Sequence, residues 1–355
     1  MSEVASGISI SVKKRQQKHI VIGFGLFFLL VLTVIISVGL GRAELTPLVV
    51  SKVLAAKITG IKSLASDIPA HYQAIVWDVR VPRILSAVLI GAGLAVSGAV
   101  FQSILRNPLA DPYTIGVSTG AAFGASIAIF ANIMLGLYMP VTPFALAGAF
   151  VSLMLVITIA RKNGVISSSN LIIAGIIVGS ILSAGMSFLK SAAGENVAAI
   201  VHWLLGSLAS RSWNHIMLLI PFIVIGCGLC IHFASRLDIM SLGEREARHL
   251  GVDPQKTMRL YLIIGSCMTA VCVSVGGIIG FVGLIVPHMI RFGLTSRNAV
   301  LIPLSTLAGG LLLLMADNIS RVLLNVEVPV GVITTLLGGP FFIWLFMKSG
   351  KGRSA

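Results

Sequence analysis

Residues 84–104, ILSAVLIGAGLAVSGAVFQSI, run for 21 positions without a charge. A helix rises about 1.5 Å per residue, so this run covers about 30 Å, the hydrocarbon thickness of a bilayer. Gly91, Ala95 and Gly98, with Ala99 beside it, fall at small-xxx-small spacing. Such spacing lets helix backbones approach closely where lipid supplies no hydrophobic drive. The stretch therefore reads as a membrane helix pressed against another, and SCMTAVCVSVGG (266–277) is a looser counterpart.

The whole chain agrees with that reading. Its 355 residues are 56% hydrophobic and 11% charged, with a mean hydropathy of +1.00; an ordinary soluble domain carries about 25% charged residues. The fold class is therefore all-α and polytopic. Apolar runs place spans at Ile20–Leu40, Ile84–Ile104, Ile115–Ile133, Val141–Ala160, Leu171–Leu189, Trp213–Phe233, Leu260–Ile279, Ala299–Ala316 and Val330–Met347. The first run is longer than a signal-peptide core and no small-residue cleavage site follows it, so it reads as a retained span. Val197–Leu208 and Phe281–Phe292 are too short for an ordinary crossing. Basic tails at both ends favour both termini inside and an even number of crossings. Counting Phe281–Phe292 gives ten, and leaves Val197–Leu208 as a helix lying at the outer mouth.

That topology puts 17 Lys/Arg inside and nine outside, as the positive-inside rule asks. It also accounts for the net charge of +14 without a nucleic-acid partner. Residues 1–19 and 349–355 become cytoplasmic tails around a membrane domain of 20–348. Each half of the chain carries an early proline break, NPLADP (107–112) and LIVP (284–287), behind small-residue spans running in opposite senses, which hints at an inverted repeat. Cys227, Cys230, Cys267 and Cys272 all lie in apolar runs and read as packing residues. His288, beside Pro287, is either a proton-relay group at depth or a structural histidine near the interface.

One long charged interruption remains in the C-terminal two thirds, SRLDIMSLGEREARHLGVDPQKTMR (235–259), with five Lys/Arg and four Asp/Glu. Ser241 and Glu244 have capping-box spacing, Gly251 can close a helix in the left-handed conformation, and Pro254 follows as a stop. The resulting helix of about ten residues is too short to stand alone in water. Gly243, Ala247 and Leu250/Gly251 share a small-residue side suited to docking, with Glu244, Arg245 and Arg248 turned elsewhere; a plain solvated loop is the alternative. No phosphate-cradling GxxxxGK[ST], metal cluster or protease constellation occurs, and all 12 acids fall in loops or at span edges. The chain is thus no enzyme, needs no cofactor, and has no carboxylate at depth of the kind that ion-driven carriers use.

VRVPRILSAVLIGAGLAVSGAVFQSILRNPLADPYTIGVSTGAAFGA (79–125), MSLGEREARHLGV (240–252), GFVGLIVPHMIRF (280–292) and VEVPVGVITTLLGGPFFIWL (326–345) together resemble the FecCD-type permease family. These are membrane subunits of binding-protein-dependent ABC importers for iron-siderophores, haem and cobalamin. The resemblance implies a homodimer of ten-span subunits in the cytoplasmic membrane, two cytoplasmic ATPase subunits and one extracytoplasmic binding protein. It implies that Ser241, Leu242, Gly243, Glu244, Ala247, Leu250 and Gly251 belong to a coupling helix seated in the ATPase. It also implies that Arg80, Arg83 and Arg321 meet glutamates of the binding protein at an outer rim, where guanidinium forks register carboxylates. Snorkelling at a helix start is the plainer account of Arg80 and Arg83. Asn107, Leu109, Ser168 and Ser169 align with a cytoplasmic gate. Iron-siderophore or haem import is the expected function, with cobalamin import, a non-transporting receptor or scaffold, and a secondary carrier as alternatives.

Overall fold

The computed structural model describes residues 2–41, 43, 45–322 and 327–351. The helices follow in order as α1 (Ser2–Gly39), α2 (Pro47–Thr59), α3 (Ala70–Ala74), α4 (Val81–Ile104), α5 (Val117–Met134), α6 (Val141–Ala160) and α7 (Ser168–Ala192). They continue as α8 (Val197–Leu204), α9 (Trp213–His232), α10 (Ala234–Ser241), α11 (Glu244–His249), α12 (Pro254–Gly276), α13 (Val282–Gly293), α14 (Asn298–Val322) and α15 (Val330–Lys351). A two-residue hairpin, β1 (Arg161–Lys162) and β2 (Val165–Ile166), is the only sheet among the described residues. Its turn is Asn163–Gly164, both at positive φ, the pair a tight hairpin requires. Residues 352–355 of the expected C-terminal tail, and Val326 of the VEVPVG block, lie outside the described residues.

Among the described residues, eight helical stretches are long and apolar enough to cross a bilayer: Gln16–Gly39, Ala70–Ile104, α5, α6, α7, α9, α12 and α14. Two shorter apolar helices, α13 and Val330–Ile343 of α15, stand where the other two crossings were expected. The Ala70–Ile104 stretch is continuous because a π-helical segment, Ile75–Arg80, joins α3 to α4. Pro82 therefore sits inside a long helix, next to a widened turn.

Helix α4 is the hub, and its small residues decide who touches it. A Cβ at Gly91 would collide with the carbonyl of Gly309 on α14, and one at Gly98 with that of Gly283 on α13. One at Gly93 would strike Ile223 of α9 and Cys272 of α12. Backbone-to-backbone approach of this kind is the small-xxx-small stripe used on several sides at once. Ser97 adds a hydrogen bond to the Gly265 carbonyl of α12 at 3.1 Å. Along α4 and α12 the partners run in opposite order, Phe101 with Gly265 and Ile90 with Gly276. The two small-residue spans are thus antiparallel, as read from the sequence. Helices α5 and α6 repeat the device through Gly120, Gly124 and Gly148.

The register of these contacts sorts the loops onto two ends. One end carries α2, α8 and the start of α4; the other carries the hairpin, α10 and α11. Between α12 and α13 the chain leaves helical geometry at 277–281, and α13 starts beside Leu94 and Gly98, well inside the bundle. The broken backbone is buried among α4, α15 and the segment after α8, where alone irregular chain is tolerated at membrane depth.

Candidate functional site

At the α8 end three arginines converge on one cavity of about 220 Å³, which Glu327 also lines. All three side chains are buried and have partners inside the chain's own structure. Arg80 donates to the carbonyls of Val38 (2.7 Å), Gly39 (3.0 Å) and Ala43 (2.6 Å). Arg83 grips Asp317 with Nε and Nη2 (3.0 and 2.9 Å) and reaches Glu327 with Nη1 at 3.0 Å. Arg321 pairs with the same Asp317 at 3.2 Å and donates to the Leu40 carbonyl at 3.1 Å. The group clamps the ends of α1, α4 and α14. Snorkelling is excluded for Arg80 and Arg83, since both turn inward.

Asp317 also corrects the expectation that acids keep to loops and span edges. Helix α14 runs past Ala316 to Val322, so Asp317 lies within it and is fully buried. Its two guanidinium partners hold it as a structural anion, unlike the free carboxylate of an ion-driven carrier. The sequence contained one usable clue: Asp317 and Arg321 stand at i,i+4 spacing on a helix.

At the other end, the 235–259 stretch forms two helices rather than one. Ser241 is the last residue of α10, where its hydroxyl donates to the Asp238 carbonyl at 2.6 Å. The capping box with Glu244 therefore does not form. Gly243, at φ +135°, occupies the N-cap position of α11 instead, and no side chain caps it. Gly251 does take the left-handed conformation, at φ +79°, and Val252 N–H bonds back to the Ala247 carbonyl at 2.9 Å, as a Schellman closure requires. Pro254 opens α12 under an Asp253 cap.

The faces of α11 also differ from the expected wheel. Ala247 is 0% exposed, packed into the chain itself, whereas Leu250 is 58% and Leu242 63% exposed. The outward side of α11 carries Glu244, Arg245, Glu246, Arg248 and His249, the two leucines flank its ends, and Ala247 faces the body. Leu109 and Val165 are also exposed at this end, so the α11 end presents four large apolar side chains.

The gate residues fall at the same end. Asn107 Oδ1 accepts from the Leu109 N–H at 3.0 Å, closing an Asx turn. Ser168 donates to the Ile104 carbonyl at 3.2 Å, which joins α7 to the last turn of α4, and Ser169 is exposed. Asp111 of the same loop is buried and accepts from the N–H groups of Tyr113 and Thr114, both at 3.0 Å. Burial pushes its carboxyl up to about 6, against the pull of those two donors.

A polar chain missed by the sequence reading connects α10 to the interior. Asp238 accepts from the backbone (2.7 Å) and side chain (2.9 Å) of Asn298 on α14. Asn298 meets Ser103 of α4 at 2.9 Å, and Ser103 accepts from Arg291 of α13 at 3.0 Å. Arg291 also donates to Gln102, whose amide reaches the Gly283 carbonyl at 3.3 Å, where α13 begins. Arg106 ties the end of α4 to the Met240 carbonyl at 3.0 Å. The available signal was polar residues, Gln102 and Arg291, inside runs otherwise apolar. His288 stands apart from the chain: its Nδ1 has no hydrogen-bond partner and its ring lies 6.1 Å from that of Phe342.

Residues 29–348 match the FecCD transport family. Among curated relatives, a cobalamin import system permease protein, BtuC of Halobacterium salinarum, is 41% identical, covering 79% of this chain and 76% of its own. An Fe(3+)-citrate import system permease protein, YfmE of Bacillus subtilis, is 34% identical, covering 94% and 96%. A solved structure described as the inward-facing conformation of a metal-chelate type ABC transporter is 34% identical with a TM-score of 0.79, covering 92% of this chain and 99% of that one. The family match over residues 29–348 and the structural match over nine tenths of the length lead to one conclusion: the chain belongs to the FecCD transport family, as the multi-pass membrane permease subunit of an ABC importer.

Proposed function

We propose that this permease imports an iron-siderophore, haem or related metal chelate as a homodimer with two cytoplasmic ATPase subunits and one extracytoplasmic binding protein. In this reading each subunit crosses the membrane ten times, the α11 end is cytoplasmic together with both termini, and the α8 end faces the binding protein. The observation that carries it is the α11 end itself. The short helix α11 is flanked by exposed Leu242 and Leu250, its Ala247 is buried against the chain, and the adjoining α10 is bonded to Arg106 after α4 and to Asn298 of α14. A six-residue helix has no stability alone, so a partner that moves α11 also moves what it is tied to. Force then passes through Asp238, Asn298, Ser103 and Arg291 to the start of α13. ATP-driven rocking would open and close the turn at Asn107–Leu109 against Ser168 and Ser169.

At the far end, Glu327 is the half-exposed member of the arginine cluster. A carboxylate from the binding protein can enter the 220 Å³ cavity and share the Arg80, Arg83 and Arg321 donors, an arrangement that contributes orientation more than affinity. The test is uptake into proteoliposomes holding permease, ATPase and binding protein, with ferric citrate, a ferric hydroxamate, haem and cobalamin offered in turn. Accumulation of one iron chelate or haem should require ATP, stop with vanadate and survive ionophores. Uptake that needs only an ion gradient refutes the ATP-coupled reading; accumulation of cobalamin alone replaces the iron substrate.

A further inference from the structure

The geometry points to an anion-binding subsite at the α8 end, centred on Arg211, that takes a carboxylate- or oxyanion-bearing ligand. Arg211 lies in the segment between α8 and α9 and lines a cavity of about 350 Å³ with His202, Trp203, Ser207, Ser210 and the end of α12 at Val275–Gly277. Two of its nitrogens are fixed by backbone: Nε donates to the Ala209 carbonyl at 3.0 Å and Nη1 to the Val275 carbonyl. Its Nη2 has no protein partner among the described residues. The guanidinium is thus held rigidly with one donor edge left over.

Its charge is also left over. No carboxylate pairs with Arg211 among the described residues; the charged group bearing on it is another cation, Arg83, and it bears in turn on His215. Burial and Arg83 hold the guanidinium below its usual range, the direction an anion would reverse. Arg211 is partly buried, and this cation without a protein anion lines a cavity. The walls supply further donors, since the Ser207 oxygen already accepts from the Ala209 N–H at 3.1 Å and keeps its hydroxyl hydrogen free. Trp203 adds an apolar side suited to the carbon skeleton of a chelator.

The cavity stands directly over the point where α12 ends and the non-helical 277–281 segment leads down to α13. A ligand there would sit at the head of the broken crossing. The volume of about 350 Å³ admits an acid the size of citrate or one arm of a larger chelator. This inference rests on the import reading and narrows it, favouring an anionic chelate or oxyanion over cobalamin. The same chemistry is offered by a lipid phosphate, so the two sources need separating.

The experiment measures binding of ferric citrate, citrate and molybdate to full-length permease in phosphatidylcholine nanodiscs, without ATPase or binding protein. Failure of ATP-driven uptake therefore leaves this result untouched, and the reverse also holds. Wild-type protein should bind at least one of the three probes saturably, Arg211→Gln should weaken it at least tenfold, and Arg211→Lys should lose less. As a control independent of folding, the bound probe should slow phenylglyoxal modification of Arg211 in the wild type. Absence of saturable binding, equal binding by Arg211→Gln, or unprotected Arg211 overturns the proposal. So does displacement of the probe by phosphatidylglycerol from wild type but not from Arg211→Gln, which identifies the occupant as lipid.

Discussion

Replacing Asp317 with alanine should destabilise this permease more than any other single change of charge. The carboxylate is fully buried and shared by Arg83 and Arg321, 234 residues apart from the first of these in sequence. Its removal leaves two buried guanidiniums with too few acceptors, since Glu327 reaches only Arg83. Breaking a buried ion pair from one side typically costs about 3–5 kcal/mol. The ends of α1, α4 and α14 lose their common tie at once, because Arg321 and Arg80 also hold the carbonyls that end α1. Thermal unfolding in detergent should show a large fall in midpoint, and limited proteolysis should cut first near residues 39–45. Arg83→Lys should also fall, though less, since an ammonium cannot reproduce the fork on two carboxylates. A wild-type midpoint for Asp317→Ala would show that the clamp contributes little.

The second large effect is steric. Gly98→Val should prevent assembly of the bundle, and even Gly98→Ala should be costly, because a Cβ at this position collides with the backbone carbonyl of Gly283. A flexible side chain could move aside; the first turn of α13 cannot move without carrying Gln102 and Arg291 with it. Overpacking a tight core costs roughly 1–3 kcal/mol or more, and here the alternative is separation of two helices. Size-exclusion profile and midpoint read this directly. Gly25→Ala on α1, where nothing stands within 4 Å of the added methyl, is the matched control and should be silent. Equal behaviour of the two alanine variants would remove close backbone approach as the reason for the stripe.

The sequence revealed helices far better than it revealed what their charges do. Apolar length marked α5, α6, α7 and α9 to within three residues at each end, because a membrane-spanning helix must be apolar along its whole length, whereas α12 begins six residues before Leu260, under its Asp253 cap. Arg80 and Arg83 stand just ahead of the uncharged run that begins at Ile84. In the structure they are inside a helix that begins earlier, Arg80 bonded to backbone carbonyls at the end of α1 and Arg83 paired with Asp317 of α14. Nothing local to VRVPR announces those partners. The Ser241–Glu244 spacing forms no capping box because Ser241 is spent as the last residue of α10, and α11 starts under Gly243. A helical wheel cannot say which side of α11 the chain itself covers, and Ala247 is covered by this chain. The Asp238-to-Gly283 chain joins four helices through side chains from α4, α10, α13 and α14. Each residue alone has no distinctive context in the sequence.

Everything functional in this account depends on the α11 end facing the cytoplasm and a soluble ATPase. The most direct measurement places a single cysteine at Leu250 in a variant whose four native cysteines are replaced. It is reacted with a membrane-impermeant maleimide in intact and in permeabilised cells, with and without the ATPase present. The account predicts no labelling in intact cells, strong labelling after permeabilisation, and protection when the ATPase is bound. Labelling of intact cells, or labelling unaffected by the ATPase, would contradict it.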